Sequence, residues 1–188
     1  NIYGDTQDMG VLRMKYRRLA RHPSWRALTD TARVIGTWDD HDYGADDSGI
    51  HYKPRSASKE VFLDFFDEPA GSSRRKREGV YTSAMLGPEK RRIQLLMLDL
   101  RTFRSDLARS GSRTYPELGG YQPLGDDDTQ EMMGEAQWTW LEQELMKPAK
   151  LRLVGLSTQL GSAFNGYEAW ANMPKERERF FQLLEKTK

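Results

Sequence analysis

Residues Trp38-Asp39-Asp40-His41-Asp42-Tyr43-Gly44-Ala45-Asp46-Asp47 set five carboxylates and one imidazole within ten positions. They follow directly on the largely apolar run Arg33-Val34-Ile35-Gly36-Thr37. Such a run predicts a buried strand over residues 33–38, and Gly44 marks the loop after it. The acids then stand at the C-terminal end of a strand, where ligands gather in open α/β sheets. So much negative charge in one loop is unfavourable unless a cation neutralises it. A hard divalent or trivalent metal ion suits such oxygen donors. His41, whose ordinary pKa is about 6.5, can give or take a proton near neutral pH. Spacing alone leaves this reading level with a second one, a polar turn whose carboxylates simply face water.

The chain has 188 residues, enough to bury a real core, and reads as one domain or part of a larger one. Its 29 basic and 28 acidic residues leave a formal net charge of +1, so no overall field argues for a nucleic-acid or membrane partner. Without cysteine it can form neither disulfides nor thiolate metal sites, which excludes a structural zinc ribbon and a cysteine nucleophile. No run approaches the roughly 18 apolar residues of a membrane span. The chain opens on Asn1 rather than Met and is expected to be an internal fragment.

Helix and strand patterns alternate. Residues 8–21 place Leu12, Tyr16 and Leu19 on one helical face, and His22-Pro23 ends that helix. Residues 24–31 predict a second short helix. Residues 58–66 carry Val61, Phe62, Phe65 and Phe66 at helical spacing, with Ser58 as the expected cap. Strands are expected at 80–86 and 91–100 around Gly87-Pro88-Glu89-Lys90, the clearest hairpin signal present. Leu95-Leu96-Met97-Leu98 does not alternate, so both faces of that strand are expected to be buried. Residues 104–129 read as a long loop. A helix over 134–146, a buried strand over 151–156 and a helix opening at Pro174 complete an α/β pattern with an incomplete sheet.

Five segments, in this order, resemble the alkaline phosphatase D (PhoD-like) family. They are Asn1-Ile2-Tyr3-Gly4-Asp5-Thr6, the acidic stretch at 38–47, and Leu98-Asp99-Leu100-Arg101-Thr102-Phe103-Arg104. The other two are Gly134-Glu135-Ala136-Gln137-Trp138-Thr139-Trp140-Leu141 and the stretch from Glu168-Ala169-Trp170 to Glu176-Arg177-Glu178-Arg179. The resemblance implies a metal-dependent phosphomonoesterase or phosphodiesterase. It also implies a calcineurin-like metallophosphatase sandwich, sheets flanked by helices, here incomplete at both ends. Residues 1–188 would form the central part of a single catalytic domain. An exported, periplasmic or extracellular location and a phosphate ester substrate are implied too, while the oligomeric state is left open.

Carried over residue by residue, the resemblance makes Tyr3 an iron ligand and Asp40 the metal ligand beside a transition-state-contacting His41. Asp39 is the second candidate ligand, and Asp39 and Asp42 would orient and charge-balance the pair. The implied cofactors are divalent or trivalent ions, iron and calcium or another binuclear pair. The family's bridging aspartate would lie one residue before Asn1 and further ligands beyond Lys188, so residues 1–188 alone are expected to be inactive. Two metals would stabilise the attacking and leaving oxygens and generate a hydroxide near neutral pH, while His41 would contact phosphate oxygens or protonate the leaving alkoxide.

Arg101 follows a strand and is a candidate phosphate fork, with a salt bridge to Asp99 or another carboxylate as the equal alternative. For Arg104 the salt bridge is favoured. The run Arg74-Arg75-Lys76-Arg77 reads as a solvated turn. Gly119-Gly120-Tyr121 lacks the strand and helix that a phosphate-cradling loop needs. Trp138, Trp140 and Trp170 read as packing residues, and Gln159 and Tyr167 as either cleft lining or plain loop packing. The competing function is a non-catalytic, truncated α/β module that binds a cation or a protein without turnover.

Overall fold

Asp8 settles the start of the first helix. Its Oδ1 accepts from the Gly10 and Val11 amides at 2.7 and 3.2 Å, capping α1 (Met9–Arg21). Leu12 and Tyr16 are the buried face of α1, and His22-Pro23 ends it and begins α2 (Pro23–Thr29). The structure, a computed structural model, describes residue 2 and residues 4–111, 118–162 and 166–187. Among these, no helix is long and apolar enough to cross a membrane.

The acidic stretch folds into the single turn α3 (Asp40–Tyr43), followed by α4 (Arg55–Phe65) and the short α5 (Ser73–Lys76). β1 (Thr82–Leu86) and β2 (Ile93–Met97) form the expected antiparallel hairpin, with Thr82 opposite Met97 and Leu86 opposite Ile93. After the two-residue pair β3 (Ala108–Arg109) and β4 (Tyr121–Gln122), α6 (Gly134–Leu145) crosses to β5 (Leu151–Gly155). β5 lies parallel to β2, giving the order β1-β2-β5, and α7 (Pro174–Lys186) closes the described chain. The result is a mixed α/β fold of small sheets flanked by helices.

Two apolar cores form. One gathers Leu96, Leu98 and Leu100 with Trp138 and Leu141 of α6, Trp170 and Phe180. The other gathers Leu12 and Tyr16 with Trp38, Tyr43, Tyr52 and the α4 residues Val61, Phe62 and Leu63. The tryptophans Trp138 and Trp170 are thus packing residues, as their spacing suggests.

Several local expectations need correction. Among the described residues, 33–38 pair with no strand. Thr37 Oγ1 donates to the Leu98 carbonyl at 2.6 Å and Arg74 Nη2 to the Gly36 carbonyl at 2.7 Å, both side-chain contacts. Val34 and Ile35 instead line a cavity of about 910 Å³ whose wall also includes Thr82, Ser83 and Ala84 of β1. β2 alternates, with Gln94 and Leu96 buried and their neighbours only partly so, because one face alone meets the helices. β5 is an edge strand, and Leu151 and Leu153 are each 49% exposed. Ser58 does not cap α4; it is buried within it, Oγ facing Met9 Sδ at 3.6 Å. Arg74 is no solvated residue either: it is buried, and its Nε donates to the Val80 carbonyl at 2.6 Å.

Candidate metal centre

The centre lies between the two cores, near the C-terminal ends of β2 and β5. Residues 4–6 lie against the acidic turn: the Gly4 amide donates to the His41 carbonyl at 2.7 Å and the Thr6 amide to the Gly44 carbonyl at 3.0 Å. Glycine is needed at both crossings. A Cβ on Gly4 would stand 2.3 Å from the His41 oxygen, and one on Gly44 2.2 Å from the Tyr52 ring. This approach brings Asp5 to His41, whose Nδ1 meets the Asp5 carboxylate in a short contact.

Among the described residues two groups of potential ligands result, each with its ligand atoms within 4.8 Å of one another. The first is Asp5, His41 and Asp46; the second is Asp40, Asp47 and Glu168. They adjoin, because Asp40 and Asp46 are hydrogen-bonded through their carboxyls and His41 Nε2 lies 3.8 Å from Asp40 Oδ2. Two carboxyls in contact need a proton or a cation between them. Asp5 (φ 44°) and Asp47 (φ 52°) also adopt the left-handed backbone that non-glycine residues avoid, and such strain gathers at functional sites. Carboxylate oxygens with one imidazole suit hard ions, so the residues present fit the implied metals.

Arginines balance the rest. Arg101 has a side chain only 2% exposed, and grips Glu168 bidentately with Nη1–Oε1 2.7 Å and Nη2–Oε2 2.5 Å. Its Nε donates to Asp39 Oδ1 at 3.0 Å. Arg104 Nε lies 3.0 Å from Glu168 Oε1, and its Nη2 donates to the Asp47 carbonyl. Tyr121 donates its hydroxyl hydrogen to Asp47 Oδ2 at 2.5 Å.

These contacts pull the titrations apart. Burial opposes ionisation of Asp40, yet the Arg101 charge and the His41 amide outweigh it and hold its carboxyl below the usual range. Asp46 moves up, through burial and then through its hydrogen bond to Asp40. The Asp5 hydrogen bond raises His41 above its ordinary value. Burial raises Glu168 despite its two arginines.

The structure thus brings Asp40 and His41 together with Asp5, Asp46, Asp47 and Glu168. Asp39 and Asp42 fall in neither group. Asp39 is the N-cap of α3 and the partner of Arg101. Asp42 is buried and accepts from the Ile2 amide at 2.8 Å. Tyr3 lies outside the described residues. Arg101 is committed to carboxylates, the salt-bridge alternative, with Asp39 and Glu168 rather than Asp99 as partners. His22 and His51 join neither group. Asp46 and Asp47 could have been singled out from the same acidic stretch, whereas Asp5 and Glu168 stand in two of the other segments that carry the resemblance, with no spacing that ties them to it.

An α/β fold with a carboxylate and imidazole centre beyond its strand ends defines the class of protein. The chain belongs to the PhoD-like phosphatase family, whose model matches residues 5–188. A solved structure of PhoD superposes with a TM-score of 0.57 at 18% sequence identity, covering 93% of this chain and 37% of that one. That likeness shows the fold, and the chain spans well under half of that solved chain. No curated protein matches the sequence.

Proposed function

We propose that this chain is the central part of a single metallophosphatase catalytic domain of the calcineurin-like sandwich type, and that the protein hydrolyses phosphoric mono- or diesters. The hydrogen-bonded Asp40 and Asp46, joining two ligand groups, carry this reading. Asp40, Asp46, Asp47, Glu168 and Asp5 are the residues that would hold the metals, iron and calcium or another pair, with Tyr3 added from the family pattern. When bound, the metals would place positive charge at the phosphoryl oxygens and acidify a water molecule.

The chain's own groups supply the remaining roles. His41, whose pKa the Asp5 hydrogen bond raises, faces the ligand carboxylates and gives a proton to the departing alkoxide. Arg101 and Arg104 fix Glu168, and Arg101 also fixes Asp39, so these arginines position carboxylates rather than touch the reacting phosphate. The family match gives the non-catalytic alternative no support.

The test is release of nitrophenolate from nitrophenyl phosphate and bis-nitrophenyl phosphate by the purified full-length protein that includes residues 1–188, with and without chelator. Turnover that chelation abolishes and iron, calcium or manganese restores is the expected result, and the preferred ester separates monoesterase from diesterase. Turnover untouched by exhaustive chelation would sink the metal mechanism.

A further inference from the structure

Beside the metal centre lies a second cavity of about 600 Å³, and Asp46 and Asp47 form part of its wall. Its charges do not cancel once the centre is accounted for. Asp46 and Asp47 belong to the ligand groups. Asp106 is engaged by His51, whose Nδ1 lies within hydrogen-bond distance at 2.9 Å, and the buried Arg104 by Glu168. Lys53 and Arg109 remain, both exposed and both lacking a carboxylate partner among the described residues.

Arg109 is not a loose surface cation. It stands opposite Tyr121 in the β3–β4 ladder, and its guanidinium lies 4.2 Å from the centre of the Tyr121 ring. That ring in turn holds Asp47 through its hydroxyl. A cation at the cavity wall is thereby fixed, through one aromatic ring, to the residue that would hold a metal. A phosphate ester seated on the centre would send its alcohol portion into a neighbouring cavity, and here that cavity presents two cations, Lys53 and Arg109, without an ion-pair partner among the described residues.

From this juxtaposition, and resting on the hydrolase reading, we infer that the cavity is a leaving-group subsite for esters whose alcohol portion bears a second anion, a carboxylate or a further phosphate. Lys53 and Arg109 are its specificity-determining residues. Each pair would form at a partly exposed site, so its effect is modest and screened by salt.

Calorimetric binding of non-hydrolysable phosphonates to the metal-loaded protein tests the inference. Phenylphosphonate is the neutral-tail probe, 4-carboxyphenylphosphonate the carboxylate probe and benzene-1,4-bisphosphonate the phosphate probe. One or both anionic-tail probes should bind about tenfold tighter than phenylphosphonate at low salt, and the better one identifies the anion. Lys53→Ala with Arg109→Ala should erase the difference, while Lys90→Ala, on the exposed turn between β1 and β2, should keep it. Equal binding of all three probes, or a preference that survives the double substitution, overturns the subsite. Binding of none of the three would instead remove the hydrolase reading, and the subsite with it.

Discussion

Tyr121 Oη donates to Asp47 Oδ2 at 2.5 Å, joining residues 74 positions apart. Burial first, and then the Asp47 carboxylate, raise the phenol well above its ordinary value, so it stays a donor at any working pH. Arg104 meanwhile holds the Asp47 carbonyl, and the residue sits at φ 52°. Asp47 is therefore fixed from both ends, and Tyr121 acts by orienting it. Tyr121→Phe should weaken metal binding by about tenfold, the lower end for a lost outer partner. Calorimetric titration with manganese would show it, and an unchanged affinity would reduce Tyr121 to a packing residue.

Asp40 connects the two ligand groups, so its removal should be felt by both. Asp40→Ala should lower metal content and activity together, because the site loses a carboxylate facing concentrated positive charge. Elemental analysis of the purified variant is the check. Full occupancy would transfer the ligand role to Asp46 and Asp47.

His41 should behave differently from its neighbours if it handles the leaving group. His41→Ala should retain metal while turnover falls by roughly two to four orders of magnitude. The loss should shrink for nitrophenyl esters, since a nitrophenolate needs little protonation as it departs. Plots of log kcat against leaving-group pKa decide the matter. Parallel lines for the two proteins, with metal lost, would make His41 a ligand.

Glu168 neutralises Arg101 and Arg104, both nearly fully buried. Glu168→Gln should leave buried positive charge without its partner and destabilise the fold by about 3–5 kcal/mol. Urea unfolding of the metal-free variant measures this apart from catalysis. A loss well below 1 kcal/mol would mean that water screens the arginines.

Much of the helical framework was legible locally. The Asp8 cap, the Leu12 and Tyr16 stripe, the stop at His22-Pro23 and the opening of α7 at Pro174 involve groups within a turn or two of each other. The β1–β2 hairpin announces itself through Gly87-Pro88 in the same way. The acidic stretch likewise held Asp40, His41, Asp46 and Asp47 within eight residues, so four of the six residues in the two ligand groups were written in one segment. Caps, turns and helical stripes depend on near neighbours, which the sequence states directly.

Only the tertiary structure joined Asp5 and Glu168 to that segment and paired Arg101 with Asp39 and Glu168. Among the described residues it also left 33–38 without a ladder and placed Leu151 and Leu153, half exposed, on the outermost strand. An apolar run states that a segment can be buried, but burial needs a partner surface supplied from elsewhere in the chain. A charge states what it could bind, but Arg101 and Glu168 are 67 residues apart, and only folding decides which countercharge reaches it first.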